Sequence, residues 1–187
     1  NTIDKYYTNP IIAKKYSTIF KDHVNINDTD LIIEPSAGNG VWTSQFPIPC
    51  NLIAFDLQPD APNIIQQNFL ELDLYKFQTK LHFIGNPPFG RQSSLAKQFI
   101  KHICNCIKTE TIAFILPKSF KKDSFQKIFP LIFHKIYEDD VDTHAFLVDG
   151  NPYDVPCVFQ IWIRKNSNRV IPPKLNPIGF QFEKQHD

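Results

Sequence analysis

An alternation of short apolar runs with stretches of helical periodicity is the feature that most constrains the fold of this chain. Between two of the runs, apolar residues recur at helical spacing from Leu95 to Ile107, after a capping Ser93 or Ser94. This order of strand, helix and strand is typical of a mostly parallel sheet with helices packed on it. The predicted main strands are 31–34, 51–57, 81–85, 111–117, 133–138 and 156–164, and 63–69 is a predicted short edge strand.

The segment between the last two predicted strands is acidic and contains Gly and Pro but no clear helical pattern. We therefore expect these two strands to pair as an antiparallel hairpin at the edge of the sheet. Within the segment, "GNPYDV" (150–155) precedes a strand and predicts a turn, with Tyr153 or Asp154 as minor candidates for lining a site. We expect residues 1–187 to form one domain, with 172–187 as an extended C-terminal tail.

The composition, 42% hydrophobic and 21% charged over 187 residues, is that of a globular domain with a sizeable core. No apolar run reaches the roughly 18 to 20 residues of a membrane span, and the first residues lack the apolar region of a signal peptide. We therefore expect an intracellular protein, in the cytoplasm or nucleus, with no membrane partner. Because no C-x-x-C pair occurs, we expect buried thiols and no metal site. The four cysteines are Cys50, Cys104, Cys106 and Cys157.

The net charge of +1 is unevenly distributed along the chain. Residues 91–135 carry nine Lys or Arg and two acids, whereas residues 136–154 carry six acids and no Lys or Arg. The first stretch has the charge of a surface that contacts nucleic acid. Two solvated faces of opposite sign are the simpler interpretation of charge runs alone.

The stretch "LIIEPSAGNGVW" (31–42) runs from a predicted strand into a loop with Gly38 and Gly40, and then into a helix-like segment. Glycines allow a ligand to approach the backbone closely, and a helix N-terminus offers free N–H groups. The loop has neither the G-x-G-x-x-G pattern nor the ending of a P-loop, which disfavours NAD and ATP. A simple Gly-rich turn remains an alternative.

Polar residues also follow the next two strands. Asp56 ends strand 51–57, where a carboxylate is placed to accept the two hydroxyls of a ribose in the crevice of an open sheet. Asn68 and Phe69 follow the edge strand and offer an amide and an aromatic face to an adenine, with Asp73 as an alternative. A turn or cap for Asp56 and a core position for Phe69 stay open.

The stretch "NPPF" (86–89) follows the buried strand 81–85 at the same end of the sheet. An exocyclic aromatic amine is a poor nucleophile because its lone pair is delocalised into the ring. The side-chain carbonyl of Asn86 and the backbone carbonyl of Pro87 can accept its two hydrogens. Two prolines make this backbone rigid, and Phe89 can stack on a planar base. Three loops are therefore predicted to converge on one crevice.

The ordered motifs "YYTNP", "EPSAGNG", "AFDLQPD", "NF" and "NPPF" resemble those of class I S-adenosylmethionine-dependent methyltransferases that modify the N6 amine of adenine in DNA or RNA. The resemblance spans roughly residues 5 to 165 and implies an N-methyltransferase with S-adenosyl-L-methionine as cofactor. It also implies an α/β, Rossmann-like fold, in which a seven-stranded, mostly parallel sheet has an antiparallel edge strand and helices on both faces.

Matching by motif implies site residues as well. The catalytic loop would be Asn86, Pro87, Pro88 and Phe89. The cofactor would contact Tyr7, Thr8, Glu34, Ser36, Gly38, Gly40, Asp56, Asn68 and Phe69, although many relatives carry Asp where Asn68 stands.

DNA-modifying relatives usually append a target-recognition domain, for which this chain has no room. Selection of a nucleic acid would then belong to a partner subunit or to the basic stretch, with Arg91, Lys118, Lys121 and Lys122 as phosphate contacts. Two alternatives remain: methylation of a protein glutamine amide, which in relatives goes with Tyr at the position of Phe89, and a non-catalytic scaffold subunit. Cytosine N4 is disfavoured because its usual motif begins with Ser.

Overall fold

The structure is a computed structural model that describes residues 6–47 and 50–173. Apart from Pro172 and Pro173, the predicted C-terminal tail lies outside the described residues. The strands are β1 (Tyr7–Thr8), β2 (Leu31–Glu34), β3 (Leu52–Asp56), β4 (Ile64–Gln66), β5 (Leu81–Gly85), β6 (Thr109–Pro117), β7 (Phe133–Asp140), β8 (Phe146–Val148), β9 (Asn151–Tyr153) and β10 (Cys157–Arg164). The α-helices are α1 (Pro10–His23), α2 (Ser94–Cys104) and α3 (Asp123–Gln126).

Seven strands form the central sheet in the order β4-β3-β2-β5-β6-β10-β7. The pairs from β4 to β6 are parallel, and β10 is antiparallel to both of its neighbours. This confirms the predicted mostly parallel sheet, in which the last two main strands pair as an antiparallel hairpin at one edge. The antiparallel strand itself lies one place inside the edge, and β7 is outermost. The reason is burial: Cys157 to Trp162 are all buried, whereas most of β7 is half-exposed.

Helices cover both faces of this sheet, as predicted. Helix α2 buries Phe99, Ile100 and Ile103 against one face, and α1 buries Tyr16 and Phe20 against the other. Helix α1 was not predicted. Its start is well specified, because Asn9 caps it by accepting a hydrogen bond from the N–H of Ile11 at 3.0 Å, and Pro10 is its first residue. No helix in the described ranges is long and apolar enough to cross a membrane.

The prediction of a helix after the Gly-rich loop is wrong. Only a short 3-10 turn, Thr43–Gln45, follows the loop before the chain turns towards β3. Phe46 is already extended, with φ −113° and ψ 102°, because the following Pro47 disfavours helical backbone at the residue before it. The loop therefore has no helix N-terminus to offer a ligand.

The connection between β7 and β10 contains the hairpin β8–β9, which forms a second sheet with β1 in the order β1-β8-β9. Asp149 (φ 49°) and Gly150 (φ 78°) form its two-residue turn, as a type I′ hairpin requires. The turn predicted at residues 150–152 is thus correct for Gly150 and wrong for Asn151 and Pro152, which belong to strand β9. Because β7 ends and β10 begins at the carboxyl edge of the parallel strands, this small sheet lies at that edge.

Candidate functional site

The three predicted loops meet at the carboxyl edge of the central sheet. The Ser36 hydroxyl donates a hydrogen bond to the backbone carbonyl of Asn86 at 3.0 Å, which joins the Gly-rich loop to the loop after β5. The N–H of Gly38 donates to Oδ2 of Asp56 at 2.7 Å, which joins the same loop to the end of β3. The Gly-rich loop therefore holds the other two in one crevice.

Asp56 is oriented by two backbone donors. Its Oδ2 accepts from Gly38, and its Oδ1 accepts from the N–H of Gln58, both at 2.7 Å. Since an ionised carboxylate has about four acceptor sites, capacity remains for two further hydroxyl groups. Leu57, the next residue, exposes 58% of its surface at the same edge.

Gly38 lies under the ring of Tyr7. Its φ of +53° is left-handed, and a Cβ at this position would be 3.0 Å from Cε1 of Tyr7, so glycine is required on both counts. The Tyr7 hydroxyl donates a hydrogen bond to Asp60, which the sequence analysis did not identify. Burial, together with this bond, raises the pKa of Tyr7 to about 12. Gly40, with φ +76°, is left-handed but less crowded.

Glu34 ends β2 and is fully buried beneath the Gly-rich loop. Its Oε2 accepts a hydrogen bond from the hydroxyl of Thr43 at 2.6 Å, and its Oε1 has no partner among the described residues. Burial raises the pKa of Glu34 to about 8; bonds from Thr43 oppose this shift, and the charge of Asp56 adds to it. The carboxyl group is therefore mostly protonated at neutral pH.

Asn86 carries the second unpaired acceptor of the crevice. Its side-chain oxygen Oδ1 is buried and has no hydrogen-bond partner within the described ranges. Leaving a buried amide oxygen unpaired costs about 1–3 kcal/mol. Gly85 separates this residue from the Glu34 side chain, whose Cγ would be 3.4 Å from a Cβ at Gly85. The crevice thus contains a buried acceptor in Asn86, which suits an N–H donor of a ligand, near the buried carboxyl group of Glu34.

The "NPPF" loop is anchored at its far end. The backbone carbonyl of Phe89 accepts hydrogen bonds from Leu95 at 3.1 Å and from Ala96 at 3.3 Å, at the start of α2. Pro87 is buried and Pro88 is exposed. The half-buried ring of Phe89 meets Phe146 of the small sheet edge-on, with ring centroids 6.3 Å apart. The small sheet therefore borders the predicted catalytic loop.

Phe69, predicted to face an adenine, is a core residue. Only 2% of its surface is exposed, and its ring packs against Phe55, Phe83 and Phe99. No free face remains for a ligand. We correct this prediction, which failed because the motif does not show which side of the sheet the ring takes.

Asn68 and Asp73 serve local structure. Asn68 caps the 3-10 turn Phe69–Glu71, and Asp73 caps the turn Leu74–Lys76. Thr8 is also buried, and its hydroxyl accepts a hydrogen bond from the indole N–H of Trp42 at 3.1 Å. Of the two N-terminal candidates, the structure therefore places Tyr7 and not Thr8 against the Gly-rich loop.

The basic and acidic stretches neutralise each other in part. Lys118 and Lys121 both form ion pairs with Asp140, at 3.0 and 2.8 Å, so they are weaker phosphate candidates than predicted. Lys15 likewise pairs with Asp139 and Asp142.

Arg91 and Lys122, the other two predicted phosphate contacts, are not neutralised by an acid in this way. Neither side chain has an ion pair or hydrogen bond within the part of the chain that the structure describes.

The four cysteines are not grouped with other possible metal ligands among the described residues. In ranges 6–47 and 50–173, no three His, Cys, Asp or Glu side chains are grouped to hold a metal ion. All four cysteines are free. Cys106 and Cys157 are buried as predicted, Cys104 is partly buried, and Cys50 is exposed, which corrects the prediction for that residue.

Comparison with solved structures relates this fold to methyltransferases. The 23S rRNA methyltransferase ErmE superposes with a TM-score of 0.60 and 14% identity over 89% of this chain and 72% of its own. A putative RNA methyltransferase from Pyrococcus horikoshii has a TM-score of 0.58 and 14% identity over 87% and 88% of the two chains.

A third solved structure is the 1,6-didemethyltoxoflavin-N1-methyltransferase of Burkholderia thailandensis with bound 1,6-didemethyltoxoflavin and S-adenosylhomocysteine. It superposes with a TM-score of 0.57 and 11% identity over 84% of this chain and 80% of its own. No protein-family model and no curated protein sequence matches the chain. At these identities the likeness shows the fold, which is the Rossmann-like class I methyltransferase fold.

Proposed function

We propose that this chain is an S-adenosylmethionine-dependent methyltransferase that acts on the exocyclic N6 amine of adenine in DNA or RNA. The observation that carries the proposal is the buried side-chain oxygen of Asn86 at the carboxyl end of β5, for which the described residues offer no hydrogen-bond donor. A preorganised acceptor at this position suits an N–H donor that enters the crevice. The fold supports the proposal, because solved structures that share it include RNA methyltransferases and an S-adenosylhomocysteine complex.

The crevice fits S-adenosylmethionine, which when bound would supply an electrophilic methyl group. Asp56, already oriented by two backbone N–H groups, has acceptor capacity for the ribose hydroxyls. Gly38 and Gly40 allow close approach of the backbone, and Ser36 fixes the loop that carries them. The unpaired Oε1 of Glu34 suits a cationic N–H donor, which would favour the ionised carboxylate.

The loop after β5 would prepare the amine. The Asn86 side-chain oxygen and the Pro87 carbonyl would accept its two N–H hydrogens, which draws the nitrogen lone pair out of conjugation with the ring. That lone pair would be directed at the methyl carbon that the bound cofactor supplies, and the bond from this carbon to sulfur would break as the bond to nitrogen forms. The surplus proton on nitrogen would then leave to water, so no strong base is needed.

Stacking and phosphate contacts would position the base. Phe89, held by Phe146, would stack on an adenine that is unpaired or flipped out of a duplex. Arg91 and Lys122 would contact phosphates, and Lys118 and Lys121 would do so only in competition with Asp140. A partner subunit would supply any further target selection.

Transfer of a tritiated methyl group to matched pools of single-stranded DNA, duplex DNA, RNA and protein tests the proposal. We expect label at adenine N6 in a nucleic acid. Asn86→Ala should lower kcat about 10²- to 10³-fold, the usual cost of losing one positioned hydrogen-bond partner in an active site. Affinity for S-adenosylmethionine, measured by calorimetry, should stay within about twofold, because Asn86 faces the amine.

Asn166→Ala, at an exposed position, is the matched control. Label confined to the protein pool would contradict the adenine assignment and favour a glutamine amide as acceptor. If the chain neither binds S-adenosylmethionine nor transfers a methyl group to any pool, the scaffold alternative is favoured. Equal loss of turnover and cofactor affinity in Asn86→Ala would place this residue in the cofactor pocket.

A further inference from the structure

A continuous path of aromatic rings leads from the predicted catalytic loop to the surface. Phe89 meets Phe146 at 6.3 Å between ring centroids, and Phe146 meets Tyr6 at 6.5 Å. Tyr6 in turn contacts Tyr153 at 5.2 Å, with the ring planes tilted by 48°. All three rings beyond Phe89 belong to the small sheet or to the residue preceding it. The path therefore runs along the border between the crevice and this sheet.

The outer end of the path is unusually exposed for aromatic side chains. Tyr6 exposes 42% of its surface and Tyr153 exposes 45%, whereas Phe146 beneath them exposes 1%. The buried Phe146 fixes the base of the pair, and the short strand β9 carries Tyr153 on the far side. Two solvent-facing aromatic rings on a rigid base form a platform on which a flat ligand can stack.

The segment that carries Tyr153 contains acidic residues, which disfavour a phosphate next to them. Of the acids in the connection that carries it, Asp142 pairs with Lys15, and Asp154 accepts a hydrogen bond from the N–H of His144. Asp149 adds negative charge at the hairpin turn. A ligand at the platform is therefore expected to bind through an uncharged planar group, with its phosphates directed away.

We propose that Tyr6 and Tyr153 form a subsite that stacks an unpaired nucleobase next to the target adenine. This proposal rests on the proposed function, because the platform is defined by its connection to Phe89. A neighbouring base inside an intact duplex is stacked on its own helix and cannot occupy the platform. The subsite therefore selects single-stranded or looped nucleic acid over duplex.

Tyr153→Ala is the informative variant, because Tyr153 lies on the surface of an edge strand and outside the crevice. Loss of one stacked base should raise the Kd for a short single-stranded oligonucleotide about 5- to 150-fold. The effect should be the same at 50 and 200 mM salt, since stacking releases no counterions. Tyr153→Phe, which keeps the ring, should bind the oligonucleotide like wild type.

The probe is a single-stranded nonamer with one adenine and 2-aminopurine on its 5′ or 3′ side, bound in the presence of S-adenosylhomocysteine. Quenching of 2-aminopurine fluorescence on one side only, lost in Tyr153→Ala, is the expected signature of stacking. Tyr75→Ala is the matched control: Tyr75 exposes 54% of its surface, and its hydroxyl donates to the Asn105 carbonyl at the opposite edge of the sheet.

The outcomes separate the two proposals. If wild type methylates nucleic acid but Tyr153→Ala binds the nonamer as tightly as wild type, the subsite is refuted and the proposed function stands. Equal methylation of duplex and single-stranded forms of one sequence would also refute the subsite. If wild type methylates no nucleic acid, both proposals fail.

Discussion

Replacing Glu34 by glutamine should stabilise the protein, and by an amount that depends on pH. The Glu34 side chain is fully buried, and burial raises its pKa from the ordinary value of 4.5 to about 8. Below pH 4.5 the group is protonated in both the folded and the unfolded state, so it contributes no pH dependence. As pH rises towards 8, the unfolded chain ionises while the folded chain keeps its proton, and the folded state loses stability.

The size of the effect follows from the shift. Each pKa unit corresponds to 1.36 kcal/mol, so the loss amounts to about 3 kcal/mol at pH 7 and about 5 kcal/mol above pH 8. Glutamine keeps the shape of the side chain and an acceptor for Thr43, but it has no charge to bury. For a chain of this length, 3 kcal/mol corresponds to a difference in Tm of roughly 6–12 °C between Glu34→Gln and wild type at pH 7.

Thermal unfolding followed by circular dichroism at pH 5, 6, 7 and 8, without cofactor, measures this difference. The gap in Tm between the variant and wild type should widen steadily with pH. Glu71→Gln, at an exposed position, controls for the amide substitution itself. A gap that is the same at pH 5 and pH 8, or a variant that is less stable than wild type throughout, would refute the reasoning.

Two further predictions concern the cofactor crevice and the core. Asp56→Asn should weaken binding of S-adenosylmethionine in calorimetry by about tenfold or more, because a charged acceptor for hydroxyl groups becomes neutral; unchanged affinity would remove Asp56 from the site. Arg169→Ala should lower stability in urea unfolding by about 2–4 kcal/mol, with little rescue by lysine, because the planar guanidinium cannot be replaced by an ammonium. The Arg169 guanidinium donates hydrogen bonds to the backbone carbonyls of Gln126, Phe129, Pro130 and Phe133 and lies 5.1 Å from the Trp162 ring centroid. If Arg169→Ala and Arg169→Lys were both as stable as wild type, the structural role of this guanidinium would be contradicted.

The parts of the fold that the sequence predicts best are those fixed by local pattern. The continuous apolar runs of β2 and β5 match their predicted bounds, because strands buried on both faces need no alternation. The sequence also predicts that the Gly-rich loop, Asp56 and Asn86 converge, because parallel strands bring their carboxyl ends to one edge of the sheet. Asn9 followed by Pro10 is a typical start of a helix, although α1 was not predicted from it.

What the sequence could not predict depends on contacts between distant residues. The small sheet pairs Tyr7 with Leu147, and two or three residues are too few to show strand periodicity. The ion pair between Lys118 and Asp140 forms because the residue after β6 lies close to the last residue of β7, which the sequence does not show. Phe69 illustrates the same limit, because a motif names a residue without showing the direction of its side chain.

The interior position of β10 has a consequence for folding. Since β10 lies between β6 and β7, β6 is paired only on its β5 side, and β7 has no partner in the sheet, until residues 157–164 are available. During synthesis from the N-terminus, most of the chain therefore emerges while β6 carries an unpaired, apolar edge, a condition that promotes aggregation. A chain shortened before Cys157 would leave that edge without its partner β10. The seven-stranded sheet is thus completed by the last strand of the described residues, which lies between two strands that precede it in the sequence.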